Sequence, residues 1–245
     1  MKIRSLFVAL FCIATRVTGE PTDLFISEYV EGSGFNKAIE LYNGTGSPID
    51  LSAYTLERYT NGAAEVSSSV GLTGILDHAD VYVIAHSSAD SLLIAVADMT
   101  NGSVLGYNGD DAIALRHGEV LIDIIGVIGQ DPGTEWGSDL LSTADNTLRR
   151  LPAVCSGNAV FQLETEWSGY AVDTFDGIGA HSADCGASAT PIYDIQYTVA
   201  PDGDSPLKDQ ADIVTEGVVT ALFSGGYFIA EAVGALPGAF TAEEL

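Results

Sequence analysis

The sequence has 245 residues, 47% hydrophobic and 18% charged, so it has enough apolar material for a folded core and is not wholly disordered. Its 34 acidic residues outnumber nine Lys and Arg residues, which gives a formal charge of −25. Nucleic-acid binding depends on Lys and Arg that displace counterions from phosphates. The charge therefore argues against direct nucleic-acid binding by this chain unless metal ions bridge the two.

The N-terminus has the three parts of a secretory signal peptide. Lys2 and Arg4 give a positive start, residues 6–14 are apolar, and Gly19 ends a small-residue cleavage site. The apolar run is shorter than the roughly 20 residues that cross a bilayer, although an uncleaved anchor is the alternative. We predict a signal peptide over residues 1–19 and a mature chain that is extracellular or at the cell surface. That mature chain has 34 acidic against six basic residues, or −28.

Short alternating segments rich in β-forming residues follow, separated by turn signals. The predicted strands are residues 25–30, 38–42, 53–60, 81–85, 112–116, 119–125 and 147–151, with a last β segment around Trp167 and Tyr170. These elements predict an all-β fold.

One helix is predicted between the fourth and fifth of these strands. Ser87 and Asp90 have the spacing of a capping box. The residues expected on one helical face are Leu92, Leu93, Val96 and Ala97.

The composition changes after Cys185, which indicates a second unit. A small-residue linker leads to a β segment that begins near Pro191, and two further strands flank the Gly225-Gly226 turn. Three strands are fewer than the roughly five of a small closed barrel, so this unit either leaves a sheet edge bare or is the front part of something longer. Residues 217–240 carry one charge, but their glycine pair and alternating pattern favour a hairpin over a membrane span.

Cysteine usage predicts one disulfide. Cys12 lies in the predicted signal peptide, so Cys155 and Cys185 are the remaining pair. In an exported protein they are expected to form a disulfide, which stabilises the fold by roughly 3–4 kcal/mol in the chain-entropy model. A two-cysteine metal site is the alternative, but it lacks histidines or further cysteines at ligand spacing.

Several motifs, in this order, resemble the lamin tail domain. They are FISEYVEGSGFNKAIELYNGT, YVIAHSSA, DDAIALRHGEVLIDIIGVIG and NTLRR, and they cover about residues 23–186. More narrowly, they resemble the version at the front of secreted bacterial nucleases, which precedes an OB-like β-domain and a metal-dependent catalytic domain of the endonuclease/exonuclease/phosphatase class. The resemblance implies an immunoglobulin-like β-sandwich over residues 20–187, followed by a partial OB-like β-domain over residues 188–245.

The resemblance also implies a function. The family is regarded as a non-catalytic adaptor, tethering or binding module, and no room for the nuclease catalytic domain is expected after Leu245. We therefore expect a secreted binding or tethering module beside an extracellular nuclease system, whose ligand is a protein, a cell surface or a matrix component. One alternative is the N-terminal fragment of a metal-dependent extracellular nuclease. Another is a structural surface protein of a salt-adapted organism, which the acidic composition suits.

An acidic pair is the candidate for catalysis. Glu28 and Glu40 come close together if strands 25–30 and 38–42 pair, and two nearby carboxylates can serve as acid and base when their environments separate their pKa values. The alternative is that each is an ordinary strand residue, with Lys37, Arg58 or Arg149 as a possible partner. We favour the second interpretation and predict no catalytic residue.

Aspartate pairs in loops are the candidate metal ligands, and calcium is the one cofactor that they suggest. Asp110 and Asp111 follow a turn signature. Asp202 and Asp204 resemble a calcium loop that lacks its third ligand and its terminal Glu. We interpret both pairs as loop residues rather than sites. The four histidines have no zinc spacing, and Trp136 and Trp167 are interpreted as packing residues rather than a sugar or base platform.

Overall fold

The structure of the chain is a computed structural model. It describes residues 21–185 and the backbone of two later strands, residues 218–223 and 226–230. The predicted signal peptide, the predicted strand near Pro191 and the candidate ligands Asp202 and Asp204 lie outside the described residues.

Strands dominate the described residues, and two short α-helices and two 3-10 helices, Leu51–Ala53 and Thr60–Gly62, accompany them. The strands, in chain order, are β1 (Phe25–Glu31), β2 (Lys37–Asn43), β3 (Ile49–Asp50), β4 (Tyr54–Tyr59), β5 (Ser68–Gly71), β6 (Ile75–Leu76), β7 (Asp80–Ala85), β8 (Met99–Thr100), β9 (Ala112–His117), β10 (Val120–Ile125), β11 (Gly137–Ser138), β12 (Leu141–Ser142), β13 (Asn146–Arg150), β14 (Trp167–Ala171), β15 (Val218–Phe223) and β16 (Gly226–Ala230). The α-helices are α1 (Ser91–Val96) and α2 (Leu163–Glu166).

Two sheets form the body of the fold. The six-stranded sheet has the order β14-β13-β1-β2-β7-β8, and the four-stranded sheet has the order β10-β9-β4-β5. Within them, only β7 and β8 pair in parallel. Apolar side chains from both sheets form one buried core, among them Ile26, Ile39 and Ile84 from the first sheet and Leu56 and Leu115 from the second. The predicted all-β, immunoglobulin-like sandwich is confirmed.

A β-bulge sets which side chains of β1 face outward. The pairing of β1 with β2 shifts between Ile26, which lies opposite Leu41, and Glu28, which lies opposite Glu40. The extra residue, Ser27, lies at the bulge. Ile26 and Leu41 therefore point into the core, whereas Glu28 and Glu40 lie on the outer face of the six-stranded sheet.

Helix α1 differs from its prediction. Its N-cap is Asp90, whose side chain accepts a hydrogen bond from the backbone N–H of Leu92 at 2.8 Å, so the predicted capping box that began at Ser87 was wrong. The predicted apolar face was also wrong in part, because Leu93 is fully buried but Leu92 is 66% exposed. With six residues, the helix is too short for its residue spacing alone to identify the buried face.

After β14 the chain crosses the outer face of the six-stranded sheet. We call residues 172–185 the strap. Its Phe175 and Ile178 pack against an outer-face cluster that contains Val30, Ala38 and Leu93. The strap and α1 together explain why both faces of β1 and β2 are buried.

The strap ends at the predicted disulfide. Cys185 is bonded to Cys155, and the two Cα atoms are 5.4 Å apart. Because Cys155 precedes α2 and β14, the bond closes a loop that contains both elements and the strap.

Strands β15 and β16 pair with each other in an antiparallel register, with Val218 opposite Ala230. This agrees with the hairpin predicted from the glycine pair, while the OB-like assignment stays a prediction. Among the described residues, no helix has the length and apolarity needed to span a membrane.

Candidate functional site

The acidic pair lies on the outer face of the six-stranded sheet, beneath the strap. Glu28 and Glu40 are opposite each other in the pairing of β1 with β2, and their exposed fractions are 2% and 1%. The predicted proximity of the two glutamates is therefore correct. Carboxyl groups buried this deeply need hydrogen-bond or ion-pair partners. The partners of Glu28 and Glu40 indicate the role of the pair.

Glu40 accepts hydrogen bonds from both the sheet and the strap. Its Oε1 accepts from the Ser27 hydroxyl at 2.7 Å, and its Oε2 accepts from the backbone N–H of Gly179 at 2.6 Å. Since Ser27 lies at the bulge and Gly179 on the strap, Glu40 joins the sheet to its cover.

Arg149 is the partner of Glu28. It lies opposite Glu28 in the pairing of β1 with β13, and its Nε donates to Glu28 Oε2 at 3.2 Å. Its guanidinium also forms an ion pair with Asp176 of the strap and lies 4.2 Å from the ring centre of Tyr170. The other two suggested partners are engaged elsewhere: Lys37 pairs with Glu31, and Arg58 pairs with Asp111.

The strap approaches this pair closely because of a glycine. A Cβ atom placed on Gly177 would collide with the Arg149 guanidinium and with the Glu28 carboxyl group. A larger residue at this position would require either these two side chains or the strap to move.

A small cleft remains between the strap and the sheet, which we call the strap cleft. Its volume is about 220 Å³. Its lining includes Glu28, Arg149, Arg150, Ser168, Tyr170 and His181.

Burial shifts the titration of the cleft residues. The pKa of Glu28 is raised from 4.5 to about 8, chiefly because burial penalises its charged form; the Arg149 charge opposes the shift and the Glu40 charge adds to it. Burial also raises the pKa of Glu40, against the hydrogen bonds from Ser27 and Gly179. The pKa of His181 is lowered to about 4 by burial and by the nearby charge of Arg150. Near neutral pH, Glu28 is therefore mostly protonated and His181 is neutral.

His181 is a cleft residue that sequence reasoning missed. Its ring packs edge-on against Phe25 at 5.7 Å and Tyr42 at 4.9 Å, measured between ring centres. From the sequence, His181 is interpreted as a loop or strand-end residue, and no spacing or motif around it indicates that the strap returns to β1 and β2.

Arg150, next to Arg149, is the centre of a second buried network that the sequence did not reveal. Its guanidinium forms ion pairs with Asp123 of β10 and Glu166 of α2 and donates to the backbone carbonyl of Ile26 at 3.0 Å. It also lies 4.1 Å from the ring centre of Trp167. Arg150 thus joins the edge of the four-stranded sheet to the six-stranded sheet.

The aspartate pair of the first calcium candidate lies at a turn before β9. Asp111 Oδ1 accepts from the backbone N–H of Asn61 at 2.9 Å, and its backbone N–H donates to the Asn108 carbonyl at 3.0 Å. Asp110 is also buried. Among residues 21–185, no group of three or more His, Cys, Asp or Glu side chains is placed to hold a metal ion. Calcium binding stays untested, since Asp202 and Asp204 lie outside the described residues.

Neither of the two tryptophans lines the strap cleft. Trp167 is 3% exposed and belongs to the core. Trp136 packs on the core and, edge-on to Phe161, lines a second cavity of about 310 Å³.

Strands β1 and β2 and the whole four-stranded sheet lie within residues 25–125, whereas β13 and β14 of the six-stranded sheet follow later in the chain. Residues 18–129 match the family model of the Lamin Tail Domain. Comparisons with curated proteins and with solved structures found no match.

The boundary of the lamin-tail match divides the strap cleft. Glu28 and Glu40 lie within it, whereas Arg149 and His181 lie beyond residue 129. The strap cleft is therefore built by a lamin-tail wall and by a second wall, β13 to the strap, that lies outside the matched residues.

Proposed function

We propose that the chain is a secreted, non-catalytic lamin-tail module that binds or tethers, working beside an extracellular nuclease system. The observation that carries the proposal is the way the acidic pair is held inside the lamin-tail match. Three of its four carboxyl oxygens accept hydrogen bonds from Arg149, Ser27 and Gly179. An acidic pair whose oxygens hold the sheet to its cover stabilises the fold and is poorly placed to act on a substrate.

The proposed ligand is a protein, a cell-surface component or a matrix component. The charge of −25, or −28 after removal of residues 1–19, disfavours direct contact with nucleic-acid phosphates. If this chain associates with a nuclease, the nucleic acid would therefore contact the nuclease and not this chain.

A retention assay tests the binding role. Labelled mature chain, residues 20–245, is applied to cells and extracellular matrix of the organism that encodes it, with an unrelated protein of similar charge as the control. We expect saturable retention that unlabelled chain competes away. Retention equal to that of the control protein would contradict the proposal.

The export step has its own test. Mass spectrometry of the chain recovered from culture medium is expected to give an N-terminus at Glu20. A chain found only inside cells, with residues 1–19 still attached, would contradict secretion.

A second candidate is the N-terminal portion of a metal-dependent extracellular nuclease. The antiparallel pair β15 and β16 favours it, because a further β unit after the sandwich is what the resemblance to those nucleases implies. Reading the coding frame beyond the codon for Leu245 decides the matter. A catalytic domain in the same frame supports this candidate, and a stop codon followed by an unrelated gene contradicts it.

A further inference from the structure

Two residues that line the strap cleft each carry a buried polar atom with no hydrogen-bond partner among the described residues. The two atoms are Glu28 Oε1, on the sheet wall, and His181 Nε2, on the strap wall. Glu28 is 98% buried, since its exposed fraction is 2%. A buried polar atom left without a partner costs about 1–3 kcal/mol, so two such atoms on residues that line one cavity point to a further bonding partner there.

The charges around the strap cleft are balanced, which restricts the occupant. Arg149 pairs with Glu28 and Asp176, and Arg150 pairs with Asp123 and Glu166. A cation in the cleft would meet two guanidinium groups, and an anion would meet guanidinium groups that Asp176, Asp123 and Glu166 already neutralise. Neither a cation nor an anion would find an unpaired opposite charge in the cleft to offset the hydration that it loses. A neutral occupant therefore fits best.

The size and hydrogen-bonding capacity of the strap cleft restrict the occupant further. A volume of about 220 Å³ lies below the range of about 300–1,000 Å³ for drug-sized ligands and equals the liquid volume of about seven waters. A hydroxyl group both donates and accepts, so it can bond to a carboxyl oxygen in either protonation state and to a neutral imidazole nitrogen. Ser168 and Tyr170 add hydroxyl groups to the lining.

We propose that the strap cleft binds one neutral, hydroxyl-rich unit of monosaccharide size, held between Glu28 Oε1 and His181 Nε2. This inference rests on the proposed binding role and names the chemical class of the ligand. Because the two contact atoms come from the two walls, ligand recognition requires the lamin-tail wall and the strap together.

Saturation-transfer NMR on the full mature chain tests the ligand class. The probes are the methyl glycosides of glucose, galactose, mannose and N-acetylglucosamine, with acetate and methylammonium as charged comparators. We expect saturation transfer to at least one glycoside and none to either ion. Transfer to no glycoside would overturn the proposal and leave ordered water as the occupant. Equal transfer to an ion would also overturn it, because the site would then not select a neutral ligand.

Variants of the two contact residues test the location. His181→Phe keeps the aromatic packing but removes Nε2, and Glu28→Leu removes the carboxyl group; each is expected to raise the glycoside Kd at least about tenfold, which corresponds to about 1.4 kcal/mol. Glu28→Gln keeps a hydrogen-bonding atom and is expected to retain most of the affinity. The control is Glu65→Gln, an exposed glutamate before β5, which should leave the Kd unchanged. A Kd that His181→Phe does not change would contradict the assignment.

A measurement on the unmodified chain keeps the test valid if a variant fails to fold. The imidazole nitrogen resonances of His181 are expected to shift on addition of the bound glycoside, and unshifted resonances would overturn the site. The experiments distinguish failure of this proposal from failure of the proposed function. Absent glycoside binding contradicts the ligand class alone, whereas DNA cleavage by the chain contradicts the non-catalytic role.

Discussion

At the scale of single residues, the fold places a protonatable glutamate where the sequence indicated only a pair of strand residues. The pairing of Glu28 with Glu40 followed from the alternation of the two strands, and Arg149 was among the suggested partners. The sequence does not reveal that both carboxyl groups are buried, because their cover comes from the strap, whose Gly179 lies 139 residues beyond Glu40. Burial is therefore the property of this site that sequence reasoning could not supply.

The raised pKa of Glu28 predicts a specific dependence of stability on pH. The protonated form is favoured in the folded state, so its contribution is complete below the ordinary pKa of 4.5 and is lost as the pH rises to about 8. Glu28→Gln keeps this position neutral at every pH. Measured by urea denaturation, the free energy of unfolding of the wild type relative to Glu28→Gln should fall between pH 4.5 and 8 and then level off. A difference that stays constant over this range would show that Glu28 titrates normally.

Arg150 is predicted to matter far more than its sequence context suggests. Arg150→Met leaves Asp123, which is fully buried, without its ion-pair partner, so the variant should lose about 3–5 kcal/mol of unfolding free energy. The matched control is Arg116→Met, whose partly exposed pair with Glu57 should contribute only about 0–1 kcal/mol. Equal losses in the two variants by urea denaturation would contradict the importance of the buried network.

At the scale of elements, the long strands were predictable and the short ones were not. Each predicted strand up to residue 151 overlaps an observed strand, with ends that differ by one residue at most. The alternation of apolar and polar residues along these strands is what predicts them. In contrast, β11 and β12 have two residues each and exist because of their pairing partner. The helix was found, but its start was misplaced because both Ser87 and Asp90 are good N-cap residues.

The strap is predicted to depend on its disulfide. The double variant Cys155→Ser, Cys185→Ser should lose roughly 3–4 kcal/mol of unfolding free energy, because the unfolded chain gains freedom. It should also release the end of the strap, so the amide of Gly179, which donates to Glu40, should exchange its hydrogen faster. The amide of Ile39 in the core serves as the reference. Exchange at Gly179 that changes no more than at Ile39 would contradict a strap held by the disulfide.

At the scale of the whole molecule, the excess of acidic residues predicts stabilisation by salt. The described residues include few ion pairs relative to the 34 acidic residues of the chain, so like-charge repulsion opposes the folded state at low ionic strength. The Tm should rise with NaCl concentration and reach the same value with KCl at equal ionic strength. A Tm independent of salt would contradict this account. A further rise with Ca²⁺ at matched ionic strength would instead indicate a calcium site.

The central claim is that this chain presents a binding surface and does not catalyse a reaction. A nuclease assay tests it most directly: the purified mature chain is incubated with DNA and with RNA in the presence of Mg²⁺, Ca²⁺ or Mn²⁺, beside the double variant Glu28→Gln, Glu40→Gln. We predict no cleavage above the buffer control for either protein with any of the three metals. Metal-dependent cleavage by the wild type that the double variant lacks would contradict the claim and would make the acidic pair a reaction centre.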